Sequence, residues 1–178
     1  MKQIQQLNLP CYKMEVSMSI EAWHFLHGTT NGVSNHFYFL SLLSMMKTQE
    51  TFGRKRGQTY LVHAGQIDCS MIQLAMIWSV GRKAVTRLLD DFQKYGLVSI
   101  DSSRLTSLMN ISCVMSWMTN GQVISNPLFI SRIKNFKGVR LYFFNGQKFE
   151  TIRRNNHRER MKRTFTDGKP FYKTTGIT

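Results

Sequence analysis

Arg82, Lys83, Thr86 and Arg87 fall within one short run of the segment 78–100, WSVGRKAVTRLLDDFQKYGLVSI. At 100° per residue, Val85, Leu88, Leu89 and Phe92 form an i, i+3, i+4, i+7 stripe that asks to be buried. Lys83, Thr86, Arg87, Asp90 and Lys94 then lie on the opposite face, with Arg82 on its flank. The chemistry these side chains offer is recognition. An arginine can donate two parallel hydrogen bonds to O6 and N7 of guanine, and a threonine can touch a base or a phosphate. Lys83, at the helix end whose dipole attracts anions, suits a phosphate. A competing reading is a solvated lattice of ion pairs, because Asp90 and Asp91 follow Arg87 at three and four residues. Each such pair is worth only about 0.2–0.5 kcal/mol.

Further cations surround this run. Arg54, Lys55 and Arg56 form the basic part of a glycine-flanked loop, QETFGRKRGQ (49–58), suited either to phosphate contact or to solvent. Arg104 closes the polar turn DSSR (101–104) and can reach a backbone or a minor groove. Arg153, Arg154, Arg158 and Arg160 belong to RRNNHRERMKR (153–163), which would add salt-sensitive, sequence-independent affinity through counterion release. Tyr142, Phe143, Phe144 and Phe149 offer a stacking platform for single strands, or a small β core, which is the preferred use.

Catalytic chemistry finds little support. HRER (157–160) fits the H-x-x-R element of tyrosine recombinases, with Tyr172 as a nucleophile, but that family's other boxes are missing. The carboxylates are scattered, whereas a metal nuclease needs them clustered. His24 and His27 lack partners at ligand spacing, and no phosphate-cradling G-x-x-x-x-G-K-[ST] loop is present. The expectation is a non-enzymatic protein with no cofactor and no metal.

The chain has 178 residues, 24 Lys and Arg against 10 Asp and Glu, and a formal net charge of +14. Such an excess favours a polyanion, nucleic acid ahead of a membrane surface. Residues 121–178 hold thirteen of the basic residues and three acidic ones, +10 of the total. Three widely spaced cysteines suggest buried free thiols rather than a disulfide framework. The polar start MKQIQQLNLP is unlike a signal peptide. The longest apolar stretch, 36–46, is about half of what a bilayer requires. Together these suggest a soluble, cytoplasmic protein with no membrane partner.

The elements that must position these side chains can be read from periodicity. Met14, Val16, Met18 and Ile20 alternate as in a strand, and 27–35 reads as a loop. A helix capped by Ser34 or Asn35 should bury Phe39, Leu42, Leu43 and Met46. Residues 59–70 are β-prone and lead to a short helix opened by a Ser70/Gln73 capping box. That helix buries Met71, Leu74, Ala75 and Trp78. Ser79 or Gly81 can cap the basic helix, and Gly96 ends it. Residues 97–111 read as a hairpin, and Asn145-Gly146 signals another across 139–152.

The stretch 35–111 resembles the winged-helix domain of phage replication-initiation and replisome-organiser proteins. The resemblance rests on FYFLSLLSMM, the pairs Gly57-Gln58 and Gly65-Gln66, Ser70, Leu74-Ala75, VTRLL (85–89) and YGLV (95–98). The turn departs from the family pattern, with Ser79 and Gly81 where glycine usually precedes a capping serine. The expected fold class is α+β: a winged helix-turn-helix with a short N-terminal segment, 1–34, and a basic, β-hairpin-containing C-terminal extension, 112–178. The resemblance implies a double-stranded DNA-binding protein of a phage, plasmid or integrated mobile element. It would act in replication initiation or transcriptional regulation through a recognition helix at 82–95. A homodimer is expected, with a replication or regulatory protein as a further partner. The alternatives are a protein–protein assembly module, or a single-strand or RNA binder built on the basic aromatic C-terminal region.

Overall fold

The computed structural model describes residues 5–6, 8–102, 107–131, 137–146 and 148–149. After a two-residue bridge strand, β1 (Gln5–Gln6), the first long element is β2 (Lys13–Ser19). Its even-numbered residues Met14, Val16 and Met18 are buried, as alternation requires. Ser19 ends the strand and caps α1 (Ile20–His27), its hydroxyl accepting from the Ala22 N–H at 3.1 Å. A minimal hairpin follows, β3 (Thr29–Thr30) and β4 (Val33–Ser34), turning through Asn31 and Gly32 at positive φ. α2 (Asn35–Met45) is buried nearly all round and forms the middle of the core.

Next come β5 (Thr51–Lys55), β6 (Gln58–Val62) and β7 (Gln66–Asp68). The helices α3 (Met71–Trp78) and α4 (Arg82–Lys94) follow, then β8 (Ser99–Ser102) and β9 (Ser107–Asn110). The described chain ends through β10 (Val114–Thr119), β11 (Gln122–Ser125), β12 (Gly138–Phe144) and β13 (Lys148–Phe149). Among these residues no helix is long and apolar enough to cross a membrane.

The strands form five small antiparallel sheets. The largest has the order β11-β10-β2-β12, a second has β7-β9-β8, and β5–β6, β3–β4 and β1–β13 pair alone. One apolar cluster runs from Leu9 to Phe143 and takes side chains from the four-stranded sheet, from all four helices and from β7 and β9.

This architecture corrects the expected fold class. The described chain is strand-rich, its helices spread among separate small sheets, and it is not a compact winged helix-turn-helix carrying appendages. The N-terminal part is no short accessory, because β2 lies at the centre of the largest sheet, hydrogen-bonded to β10 on one side and β12 on the other. The described residues of 139–152 do not pair with one another as a hairpin either. The Asn145-Gly146 turn exists, with Gly146 at φ 75°, but β12 pairs with β2 and β13 with β1. The register with β2 sets Leu141 beside Val16 and Phe143 beside Met14, all buried. That gain in buried apolar surface outweighs what a local hairpin signal can supply.

Asn126 ties the two larger sheets together. Its buried amide donates to the carbonyls of Ile111 (3.1 Å) and Val114 (2.8 Å), and its carbonyl accepts from the Leu128 N–H (3.0 Å). Gly65, at φ 87°, passes so close that a Cβ there would stand 2.4 Å from the Asn126 Oδ1. Asn126→Ala removes both buried donations and the acceptor of the half-buried Leu128 N–H, and each buried polar group left unpaired costs about 1–3 kcal/mol. The expected outcome is a lower denaturation midpoint with an unchanged slope against urea.

Between α1 and α2, the rings of Trp23, His27 and His36 meet edge to face, with His27 and His36 centroids 4.8 Å apart. His36 is buried. Burial, and secondarily the nearby His27, push its pKa down to about 4. An unfolded histidine titrates near ~6.5. Between that value and about pH 4 the unfolded chain therefore binds a proton that the folded chain refuses. Stability is full above the upper value and falls as pH drops through this window, by about 3 kcal/mol in all. His36→Gln should flatten this part of the stability–pH curve, measured by urea titration at a series of pH values.

Candidate nucleic-acid interface

α3 is opened by the capping box read from the sequence, with Ser70 accepting from the Gln73 N–H at 3.2 Å and Gln73 accepting from the Ser70 N–H at 2.8 Å. It stops at Ser79, which takes the left-handed conformation (φ 53°). The Val80 N–H then donates back to the Ala75 carbonyl at 3.0 Å. Gly81 caps α4 with extended backbone and, having no side chain, leaves open space at the helix start. The Ala84 and Val85 N–H groups donate to the Gly81 carbonyl. Those of Arg82 and Lys83 precede the first helical bond and point out of the helix end.

Val85, Leu88, Leu89 and Phe92 are all buried, each contributing about 1.5–3 kcal/mol. Phe92 meets the Phe25 ring edge to face at 5.6 Å, and Phe25 stacks on Tyr95 at 4.7 Å. The stripe thus fixes which face of α4 looks outward. Arg82, Lys83, Thr86, Arg87, Asp90 and Lys94 are exposed on it.

The ion-pair lattice is not formed. Among the described residues, the pairs within 4.0 Å join Glu50 to His63 and Glu15 to Arg140. Neither Asp90 nor Asp91 engages Arg87. Thr86 is less free than its exposure suggests, because its hydroxyl donates to the Arg82 carbonyl at 3.1 Å. With that proton committed, Thr86 has no donor for a phosphate and offers its methyl group, which suits the thymine methyl.

Arg54, Lys55 and Arg56 do not lie on an irregular loop. β5 and β6 pair over five residues, from Thr51–Val62 to Lys55–Gln58, and turn through Arg56 (φ 50°) and Gly57 (φ 79°). Two positive φ values give the turn that matches strand twist, and glycine is required at the second position. All three cations are exposed at the tip. At the base, the Tyr60 hydroxyl donates to Asp68 at 2.7 Å, a bond that raises the phenol pKa. A Cβ on Gly53 would stand 2.4 Å from the Tyr60 ring, so only glycine lets the ring cross there. The sequence therefore builds a basic two-stranded arm.

The arm is held at Asp68, just before α3, and α4 starts beyond the far end of that helix, about 12 Å along. Between them α3 exposes Ile72, Met76 and Ile77. Met76 and Ile77 line a groove of about 600 Å³, together with Pro10, Met45, Thr51 and Cys69. The exposed α3 side chains are apolar, but the groove is also lined by Lys47, Gln49, Asp68 and Gln73; the i, i+4 pair Ile72/Met76, off the Leu74/Trp78 stripe, is legible in the sequence. Arg104, Arg153, Arg154, Arg158 and Arg160 lie outside the described residues.

Among the described residues, no group of three or more His, Cys, Asp or Glu converges to hold a metal. The three cysteines are buried and unbridged. Burial pushes the Cys11 thiol up to about 11 and raises Cys69 and Cys113 too, so none is a ready nucleophile. No protein-family model matches the chain, and no curated protein or solved structure matches it either.

Gly53→Ala should displace Tyr60, break its bond to Asp68 and free the arm. The expected result is faster amide exchange through β5 and β6, with exchange in α2 and α4 unchanged.

Proposed function

We propose that the chain is a non-enzymatic, double-stranded DNA-binding protein of a phage, plasmid or integrated mobile element, acting in replication initiation or transcriptional regulation. The observation that carries this reading is the outer face of α4. Arg82, Lys83 and Arg87 stand exposed and, among the described residues, without a carboxylate partner, on a helix whose opposite face is locked in the core. In a large class of DNA-binding proteins the second helix after a tight turn enters the major groove and meets base edges with its leading residues. Here those residues are Arg82, Lys83, Thr86 and Arg87. Arg82 and Arg87 supply guanine recognition, the Thr86 methyl a thymine contact and Lys83 a phosphate contact.

The β5–β6 arm supports the same reading in a different role. Three cations on a narrow ribbon suit a backbone or a groove edge and carry little base information. The chain's +14 charge adds a long-range attraction to any duplex.

The test is selection of bound sites from random duplex DNA by the full chain, followed by titration of the recovered site. Arg82→Ala with Arg87→Ala should weaken binding by about tenfold or more per arginine and relax base preference. Replacing Arg54, Lys55 and Arg56 together by Ala should weaken all sequences alike and reduce the salt slope by about 2–3. Unchanged preference in the α4 double variant would remove that helix as the reader.

A further inference from the structure

The four-stranded sheet has two unlike faces. Its inner row of Trp117, Met14 and Phe143 is buried in the core. On the outer face the register aligns Ser116, Glu15 and Tyr142 in one row, and Val123, Met118, Lys13 and Phe144 in the next. The aromatic run 142–144 is thereby divided, with Phe143 in the core and Tyr142 and Phe144 outside.

The outer aromatics surround a cation. The Lys13 Nζ lies 4.3 Å from the Tyr142 ring centroid and 6.0 Å from that of Phe144. Tyr12, 64% exposed, meets Phe144 edge to face at 6.2 Å. Glu15 holds the arrangement. It accepts from the Tyr142 hydroxyl (3.3 Å) and the Ser116 hydroxyl (3.1 Å), and Arg140 lies 3.5 Å away. Its charge is therefore balanced by Arg140, and among the described residues Lys13 has no carboxylate partner.

We propose that this face binds single-stranded nucleic acid, with Tyr12, Tyr142 and Phe144 stacking on bases and Lys13 meeting the phosphate between them. Same-face residues along a strand are roughly 7 Å apart, about twice the 3.4 Å stacking rise of a duplex strand. Tyr142 and Phe144 at that spacing suit the bases of an extended, unstacked strand rather than those of an intact duplex. Aromatic rings beside a free ammonium are the combination that sequence-tolerant single-strand binding uses. Charge favours a nucleic acid over a protein as the occupant. The chain's net charge of +14 points the same way.

The site is independent of α4, and the experiment keeps the two apart. Fluorescence anisotropy of the full chain is measured with a labelled oligodeoxyuridylate, an oligouridylate and a duplex of equal length. Tyr12→Ala with Phe144→Ala should lower single-strand affinity by about tenfold or more and leave duplex affinity unchanged. Lys13→Gln should reduce the single-strand salt slope by about 0.7. Loss with either polymer supports the site, and the polymer bound more tightly names the sugar it accepts. If the double variant has a lowered melting temperature, Tyr12→Ser, at an exposed position, replaces it and is read in the same way. Undiminished single-strand binding by a natively folded variant overturns the proposal. So does a loss seen only on deleting 150–178, which would put single-strand binding in the tail.

Discussion

The two-sided pairing of β2 is the constraint on which the rest of the structure depends. This strand joins β10 and β12, distant in sequence from it, and its Met14, Val16 and Met18 are buried on the core side. Without it, β10–β11 would be a lone hairpin and β12 a strand with no partner, and isolated hairpins are marginal in water. Because Ser19 both ends β2 and caps α1, the same strand sets where α1 begins. α1 packs on α2, and Phe25 of α1 holds Phe92 and Tyr95 at the far end of α4. The outward face of α4 is thus aimed by contacts that trace back to a strand more than sixty residues earlier.

That dependence separates what was legible in the sequence from what was not. The α4 stripe, the Ser70/Gln73 capping box and the Gly96 stop are local, decided by residues within a turn or two of one another. Each is present in the structure. The sheet order is non-local: nothing in VRLYFFNGQKF says that its partner is KMEVSMS rather than its own downstream residues. The Asn-Gly turn pointed to the nearer partner, and buried surface against Met14 and Val16 decided for the farther one. α1 was hidden because it is only eight residues long, buries just Ala22 and Leu26, and is announced at its start only by Ser19.

At the candidate sites the same division holds. Exposure of Arg82, Lys83 and Arg87 follows from helix periodicity alone. The Thr86 hydroxyl bond to Arg82 does not, because a threonine in a helix can also turn its hydroxyl to solvent. The arm at 51–62 was masked by its glycines, which read as loop residues. Gly57 is needed for the turn and Gly53 for the crossing of Tyr60, so both glycines build the hairpin they seemed to interrupt.

The placement of charge bears on why the fold tolerates so much of it. A net +14 repels itself and weakens the compact state. Among the described residues only Arg140 and His63 sit within ion-pairing distance of a carboxylate, so little of that repulsion is relieved internally. Six of the described cations stand at the arm tip and in the leading turns of α4, where the core does not depend on them. A polyanion bound as proposed would relieve the repulsion in the folded chain and would find these charges already arrayed there. Whatever repulsion it relieves adds to the binding free energy that stabilises the folded state. On the proposed function the same residues weaken the free protein and strengthen its complex, which is the balance expected where charge is held for a partner rather than for the fold.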